Sequence, residues 1–283
     1  MTAFAGEALE IADEAPPTAP RRGRRRLGRF VLPAISWLVI LWLIAPIIVM
    51  MIFGFNVTTG KFNIRWQGFT LRWYRELFAI PDLTNSLVNS LTIAAISTLI
   101  ATIFGTLLGL ALGKYRFHGQ GSVNLLMFAN IAAPEIVLGA SLLSLFLTMG
   151  VPRGYWTIVI AHVMFTLAYV AVTVRARMGA LDRSLEDAAR DLGAGPFTTF
   201  RKITLPLIFP GVLAGALLAF ALSIDDYIIT SFNAGSTVTF PLWVYGASRV
   251  GVPPQVNVMG TIIFVGSVLL AVLNGVLSSR RKV

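Results

Sequence analysis

Six apolar runs, each long enough to cross a bilayer, constrain this chain more than any other feature: approximately Phe30 to Phe55, Ser86 to Leu112, Val123 to Met149, Tyr155 to Val174, Leu207 to Phe232 and Val256 to Leu277. A hydrocarbon core of about 30 Å takes roughly 20 such residues in a helix. Inside it every backbone amide must find a partner within the protein, which leaves helices and closed barrels. Barrel strands would be about ten residues long with alternating polarity, whereas these runs are apolar on all faces. The sequence therefore predicts an all-α membrane protein with six transmembrane helices. Only 13% of residues are charged and 56% are hydrophobic, against about 25% charged in an ordinary soluble domain.

The formal charge of +10 is distributed unevenly. With the amino terminus inside, Arg21, Arg22, Arg24, Arg25, Arg26, Arg29, Lys114, Arg116, Arg175, Arg177, Arg183, Arg190, Arg201, Lys202, Arg280, Arg281 and Lys282 fall on the cytoplasmic side. Lys61, Arg65, Arg72, Arg75, Arg153 and Arg249 fall outside. Lys and Arg concentrate in cytoplasmic loops, so both termini are expected in the cytoplasm. That placement explains the basic balance without nucleic acid, and no base-stacking aromatics interleave with the arginine run. Residues 1–29, with Glu7, Glu10, Asp13 and Glu14 among Ala, Thr and Pro ahead of RRGRRRLGR, read as a disordered, basic cytoplasmic tail. The next run exceeds the roughly 7 to 15 residue core of a cleaved signal, so it reads as a retained first helix opening a transmembrane domain over 30–283. The chain has no cysteine, which excludes disulfides, thiolate metal sites and a cysteine nucleophile.

Two connections are long. The outer one, Asn56 to Asn85, contains WQGFTLRWYRELF, an aromatic and basic mixture that suits a short interfacial helix. The cytoplasmic one, about 175–206, reads RARMGALDRSLEDAARDLGAGPFTTFRKITLP. Ser184 followed three residues later by Asp187 is a capping-box-like start, so a helix should begin near Leu185. Gly193, Gly195 and Pro196 stop it. An amphipathic piece, Phe197 to Ile203, then leads to Leu205 and Pro206. A short polar helix beside a hydrophobic clamp either fits a groove on another protein or is a solvated linker, and the residue pattern alone leaves both open.

The spacing of Asp187-Ala188-Ala189, three residues, Gly193, nine residues, Ile203, one residue, then Leu205-Pro206 resembles the EAA loop of ABC importer permeases. FNVTTGKFNIRWQGFTLRWYREL, NSLTIA, SLEDAARDLGA and LSIDDYIITSF are similar to the polyamine (spermidine/putrescine) permeases, and the resemblance covers the chain from about Phe30 onward. It implies the type I ABC importer permease fold, with a core over about 85–275, in a bacterial inner membrane. It further implies that Glu186, Asp187, Ala188, Ala189, Gly193, Ile203, Leu205 and Pro206 couple the chain to a cytoplasmic ATPase dimer. A second permease subunit, expected to be a different chain, and an external solute-binding protein complete the implied assembly. The family's leading Glu falls on Asp187, preceded by Glu186, so either acid is a candidate for an ion pair with the ATPase. No phosphate-binding loop is present, since Gly60-Lys61 and Gly113-Lys114 are followed by Phe62 and Tyr115. ATP and Mg are thus expected on the partner, no cofactor on this chain, and no enzymatic step on the cargo. Related permeases carry iron, thiamine or phosphonate compounds, which leaves the cargo open. An ion-coupled secondary transporter is the alternative class, but it would leave the loop spacing unexplained.

An ionisable side chain near the bilayer centre costs at least about 2.5 to 3.5 kcal/mol, so its default reading is functional. Glu135 follows Pro134 in the third run, and Asp225 and Asp226 sit in LSIDDYIIT of the fifth. At 1.5 Å per residue, Glu135 and Asp225 reach similar depths in the outer half of the membrane. Facing carboxylates would suit a multiply charged ammonium cargo. Neighbours on a helix diverge by about 100°, so the two aspartates cannot share one path. One of them lines the pathway, or the pair caps a broken helix or meets a base such as Arg249. Glu135 lines the pathway or opens a helix after a kink. His162 reads as a hydrogen-bonded packing residue, and no metal site is expected. Trp66, Trp73, Tyr74, Trp243 and Tyr245 read as interface anchors, with a cation–π amine cage as the alternative.

Overall fold

The computed structural model describes residues 25–60, 62–182 and 184–280. Most of the expected tail, residues 1–24, lies outside the described residues, as do Lys61, Arg183 and residues 281–283. The described chain divides at Met50 into two compact units. Helix α1 (Arg25–Phe53) makes up the described part of the first and runs into the second. Its Val31–Phe53 stretch is long and apolar enough to cross a membrane, and Pro33 and Pro46 lie inside it.

The second unit is also helical. It comprises α2 (Arg72–Arg75), α3 (Pro81–Lys114), α4 (Gln120–Ala132), α5 (Glu135–Thr148), α6 (Tyr155–Gly179), α7 (Ser184–Asp191), α8 (Pro196–Thr199), a π-helical turn (Phe200–Thr204), α9 (Leu205–Asp225), α10 (Ile228–Asn233), α11 (Phe240–Val250) and α12 (Pro254–Arg280). Among the described residues of the whole chain, four helices are long and apolar enough to span a membrane, or five if a bent pair counts as one span.

The core is α3, α6 and α9, packed by small residues. In lipid, helices gain little from apolar burial against one another, so association depends on close approach. Gly105, Gly109 and Gly113 recur every four residues along one face of α3. A Cβ at Gly105 would lie 2.7 Å from Val170 Cβ, and one at Gly109 would lie 2.6 Å from the Ala171 carbonyl oxygen. Gly211 of α9 is as tight, with a Cβ there 2.7 Å from Arg177 Cβ, and Gly215 lies close to Val170 at 3.3 Å. Leu110, Val170, Val174, Ile208 and Ala219 fill the space between the three helices.

Two predicted spans are broken. The third, read as one helix over Val123 to Met149, is the pair α4 and α5, bent by 110°. Pro134 has no amide to donate, and Ala133 before it is extended, as the residue preceding proline prefers. The Val137 and Leu138 amides then start α5 on the Pro134 carbonyl. The fifth, read to Phe232, ends at Asp225. Asp226 is extended at φ −64° and ψ 120°, and α10 resumes the chain. Gly139 of α5 sits against Phe232 and Ile229 of α10, so the two broken spans meet at their breaks. The short interfacial helix predicted within WQGFTLRWYRELF is α2, a single turn. Its connection folds around the fully buried Asn56, which accepts from Trp73 Nε1 and the Gln67 amide and donates to Asn63 and the Arg65 carbonyl.

Candidate functional site

One polar feature gathers at the Lys114 end of α3. Helix α7 starts at Ser184, one residue ahead of the predicted Leu185. Its start is held by Asp182, which accepts the Ser184 amide at 2.9 Å, where the sequence suggested a Ser184–Asp187 box. That hydrogen bond holds the Asp182 carboxyl below its ordinary range. The helix ends in a paired motif: the Gly193 amide donates to the Arg190 carbonyl at 2.8 Å and the Ala194 amide to the Ala189 carbonyl at 3.0 Å. Gly193 takes φ +82°, the left-handed conformation such an ending requires.

The two acids of this helix have different fates. Glu186, with 15% of its side chain exposed, pairs with Lys114 Nζ at 2.6 Å and accepts from Thr204 Oγ1 at 2.6 Å. Burial alone would raise its carboxyl, but these two partners outweigh that and hold it below its ordinary value. Asp187 is 69% exposed and only 3.6 Å from Arg190, a surface pair worth little. Ala188 is exposed and Ala189 half-buried. Leu205 packs onto the helical core, Ile203 is half-buried, and Pro206 is exposed in the first turn of α9. Leu192 and Phe197 are held out, 90% and 73% exposed. A cavity of about 320 Å³ between α7 and the ends of α3 and α6 is lined by Tyr115, Met178, Leu181 and Leu185.

The second feature is the break at the aspartates, and it separates them. Asp226 is buried: its carboxylate accepts the Ile229 and Thr230 amides at 3.3 and 2.8 Å and the Thr230 hydroxyl at 2.7 Å, capping α10. His162 Nε2 lies 3.2 Å away. Asp225, the last residue of α9, is exposed and lines a cavity of about 670 Å³ with Tyr227, Tyr245, Phe240 and Phe264. The Tyr227 and Tyr245 rings meet at 4.5 Å. Arg249 binds neither aspartate: it donates to the Tyr245 hydroxyl at 2.8 Å and lies over that ring.

Glu135 is exposed as the first residue of α5 and within electrostatic range of both aspartates. His162 is 1% exposed and fully hydrogen-bonded, as a packing histidine should be. Of the aromatics weighed as a cage, only Tyr245 joins the Asp225 cavity. Trp73 donates to the Asn56 carbonyl, Trp66 meets Phe53 edge-on, Tyr74 stacks on Phe55, and Trp243 lines a separate polar cavity with Asp82 and Asn85. The sequence reading missed Lys114, Ser97, Ser223, Thr230 and Tyr227. Ser223 and Asp226, three apart, gave a faint signal of one polar face on an apolar helix. Among the described residues no cluster of three His, Asp or Glu side chains could hold a metal.

A helical protein with several helices apolar enough to cross a membrane, one sharply bent helix pair and a short polar helix beside its core has the architecture of an ABC importer's transmembrane subunit. Solved transporters share the fold: a bacterial alginate ABC transporter at TM-score 0.63 (19% identity, 90% of this chain and 96% of that one) and the methionine transporter MetNI at 0.57 (17% identity, 70% and 93%). The chain belongs to the family described as binding-protein-dependent transport system inner membrane component, which matches residues 105–283. It is 38% identical to the spermidine/putrescine transport system permease protein PotC of Haemophilus influenzae over 90% of this chain and 100% of that protein. Against PotC of Escherichia coli K12 it is 38% identical over 87% and 93%, and against that strain's putrescine permease PotI, 39% over 78% and 81%.

Proposed function

We propose that this chain is the membrane-spanning permease subunit of an ATP-driven importer that carries polyamines of the spermidine and putrescine kind into the bacterial cytoplasm. The observation that carries the reading is the 38% identity to a spermidine/putrescine permease along its entire length. The cavity chemistry supports it: the Asp225 carboxylate supplies an ionic acceptor, and the Tyr227 ring beside it supplies an aromatic face for an ammonium group. Glu135, near both aspartates, offers a second amine its counter-charge. The chain crosses the membrane six times, with α4 and α5 forming one crossing and α12 the last. Both termini are cytoplasmic, as its Lys and Arg distribution favours.

On this reading α7 and its flanks dock into the cleft of a separate ATPase dimer, which holds ATP and Mg. Glu186 is occupied by Lys114 and Thr204, so Asp187 is the acid offered to the ATPase, beside Ala188, Ala189 and the exposed Leu192 and Phe197. Gly193 holds the helix end, while Ile203, Leu205 and Pro206 join it to α9. A second, different permease subunit and an external solute-binding protein complete the assembly. The test is reconstitution of the four components in liposomes. ATP-dependent uptake of radiolabelled spermidine or putrescine is expected, and transport by this chain alone, or of neutral solutes only, would sink the reading.

A further inference from the structure

His162 touches Ser223 and Asp226, one before and one after Asp225 in the chain. Its Nδ1 lies 2.7 Å from Ser223 Oγ, and its Nε2 lies 3.2 Å from Asp226 Oδ2 and 2.9 Å from Thr230 Oγ1. Ser223 Oγ is in turn 3.0 Å from Ser97 Oγ, which donates to the Ile93 carbonyl. All of these side chains are buried. One imidazole therefore joins α3, α6, α9 and α10 in a single polar chain, at the point where α9 stops. Without it the Asp226 carboxylate would keep its amides from α10, but nothing in that chain would tie the break to α6. Ser, His and Asp in a row do not read as a hydrolytic centre here, since the Ser223 hydroxyl is buried at 3% exposure.

We infer that His162 is a positioning residue for transport: by holding Ser223 and Asp226 at its two ring nitrogens, it fixes the last turn of α9 and aims the Asp225 carboxylate into its cavity. Buried polar chains of this kind are costly when partly satisfied, which favours one arrangement over many. The consequence for cargo rests on the polyamine reading; the geometric claim does not.

The chain has no cysteine, so Asp225→Cys gives this chain a single thiol, whose labelling is read on this subunit of the assembled transporter. Its labelling rate with a quaternary-ammonium methanethiosulfonate is compared with and without His162→Ala. A change of about tenfold is expected, because small misplacements at a built site cost roughly 10- to 100-fold. A thiol introduced by Ser122→Cys, exposed in the first turn of α4, keeps its rate. Ser223→Ala, a milder change that releases only Nδ1, gives an intermediate shift at unchanged complex yield. An unchanged rate for the Asp225→Cys thiol, or an equal change at both thiols, overturns the inference. A second arm measures spermidine uptake. His162→Ala lowers it about 10- to 100-fold in the otherwise native chain but by less than about twofold on top of Asp225→Asn, whereas multiplying losses overturn it. Absence of uptake by the native complex would refute the cargo reading and leave the labelling result to decide the role of His162.

Discussion

Replacing Gly193 with Ala isolates a backbone cost at the end of α7. An added Cβ there meets no heavy atom within 4 Å, so no clash contributes. The φ of +82° is left-handed, which costs an L-residue about 1–2 kcal/mol. Helix α7 has eight residues and none of them is fully buried, and helices shorter than about 12 residues are marginal on their own. The cost therefore falls directly on the order of α7 and its paired closing bonds to Arg190 and Ala189, and not on the membrane core. It corresponds to about a 5- to 30-fold shift in the ordered fraction. Hydrogen exchange of peptides covering 184–195, followed by mass spectrometry, should quicken by that factor in Gly193→Ala. Retention of the ATPase on co-purification should fall in parallel. Gly193→Asn should recover much of both, because Asn tolerates the left-handed region. If Ala exchanges like the native chain, or if Asn is as damaging as Ala, the backbone argument is wrong.

Gly109→Ala should destabilise the protein by about 1–3 kcal/mol, since its Cβ would lie 2.6 Å from the Ala171 carbonyl and 3.0 Å from Val174 Cβ. Gly121→Ala in α4, with open space around it, should be neutral or stabilising by up to about 1 kcal/mol; thermal unfolding in detergent compares them. Lys114→Ala should loosen α7 by about 1.5–3 kcal/mol, because it removes the charged partner of the largely buried Glu186 carboxylate. As the Glu186 carboxyl is held below its ordinary 4.5, the stabilisation is fully present above about pH 4.5 and is lost as pH falls through the lower folded value. Exchange of α7 measured against pH should show that loss, and Glu186→Gln should reduce the dependence to the part contributed by Asp182 at the start of the helix. The two aspartates should separate by phenotype: Asp225→Asn lowers uptake at native thermal stability. Asp226→Ala lowers stability, by about 1–3 kcal/mol for each buried donor left unpaired.

The apolar runs fixed the helical class, because lipid leaves a backbone no other way to satisfy its amides, and local chemistry fixed α7, whose glycine ending is written in a few adjacent residues. The bend before Glu135 was open to reading at Pro134, which carries its own break. The end of α9 was legible only as one alternative, the aspartates capping a broken helix, because Leu222 to Thr230 is apolar enough to continue. It stops where Asp226 finds His162 and the amides of α10, and hydropathy along one strand of sequence holds no information about a partner on another helix. The same limit left Glu186 and Asp187 equivalent on paper until Lys114, brought over from α3, took one of them. Sequence alone determined the solvent this protein folds in and the helices that solvent permits. Tertiary structure decided which charges are spent inside the fold and which remain open, since a buried charge is defined by partners that only packing brings together.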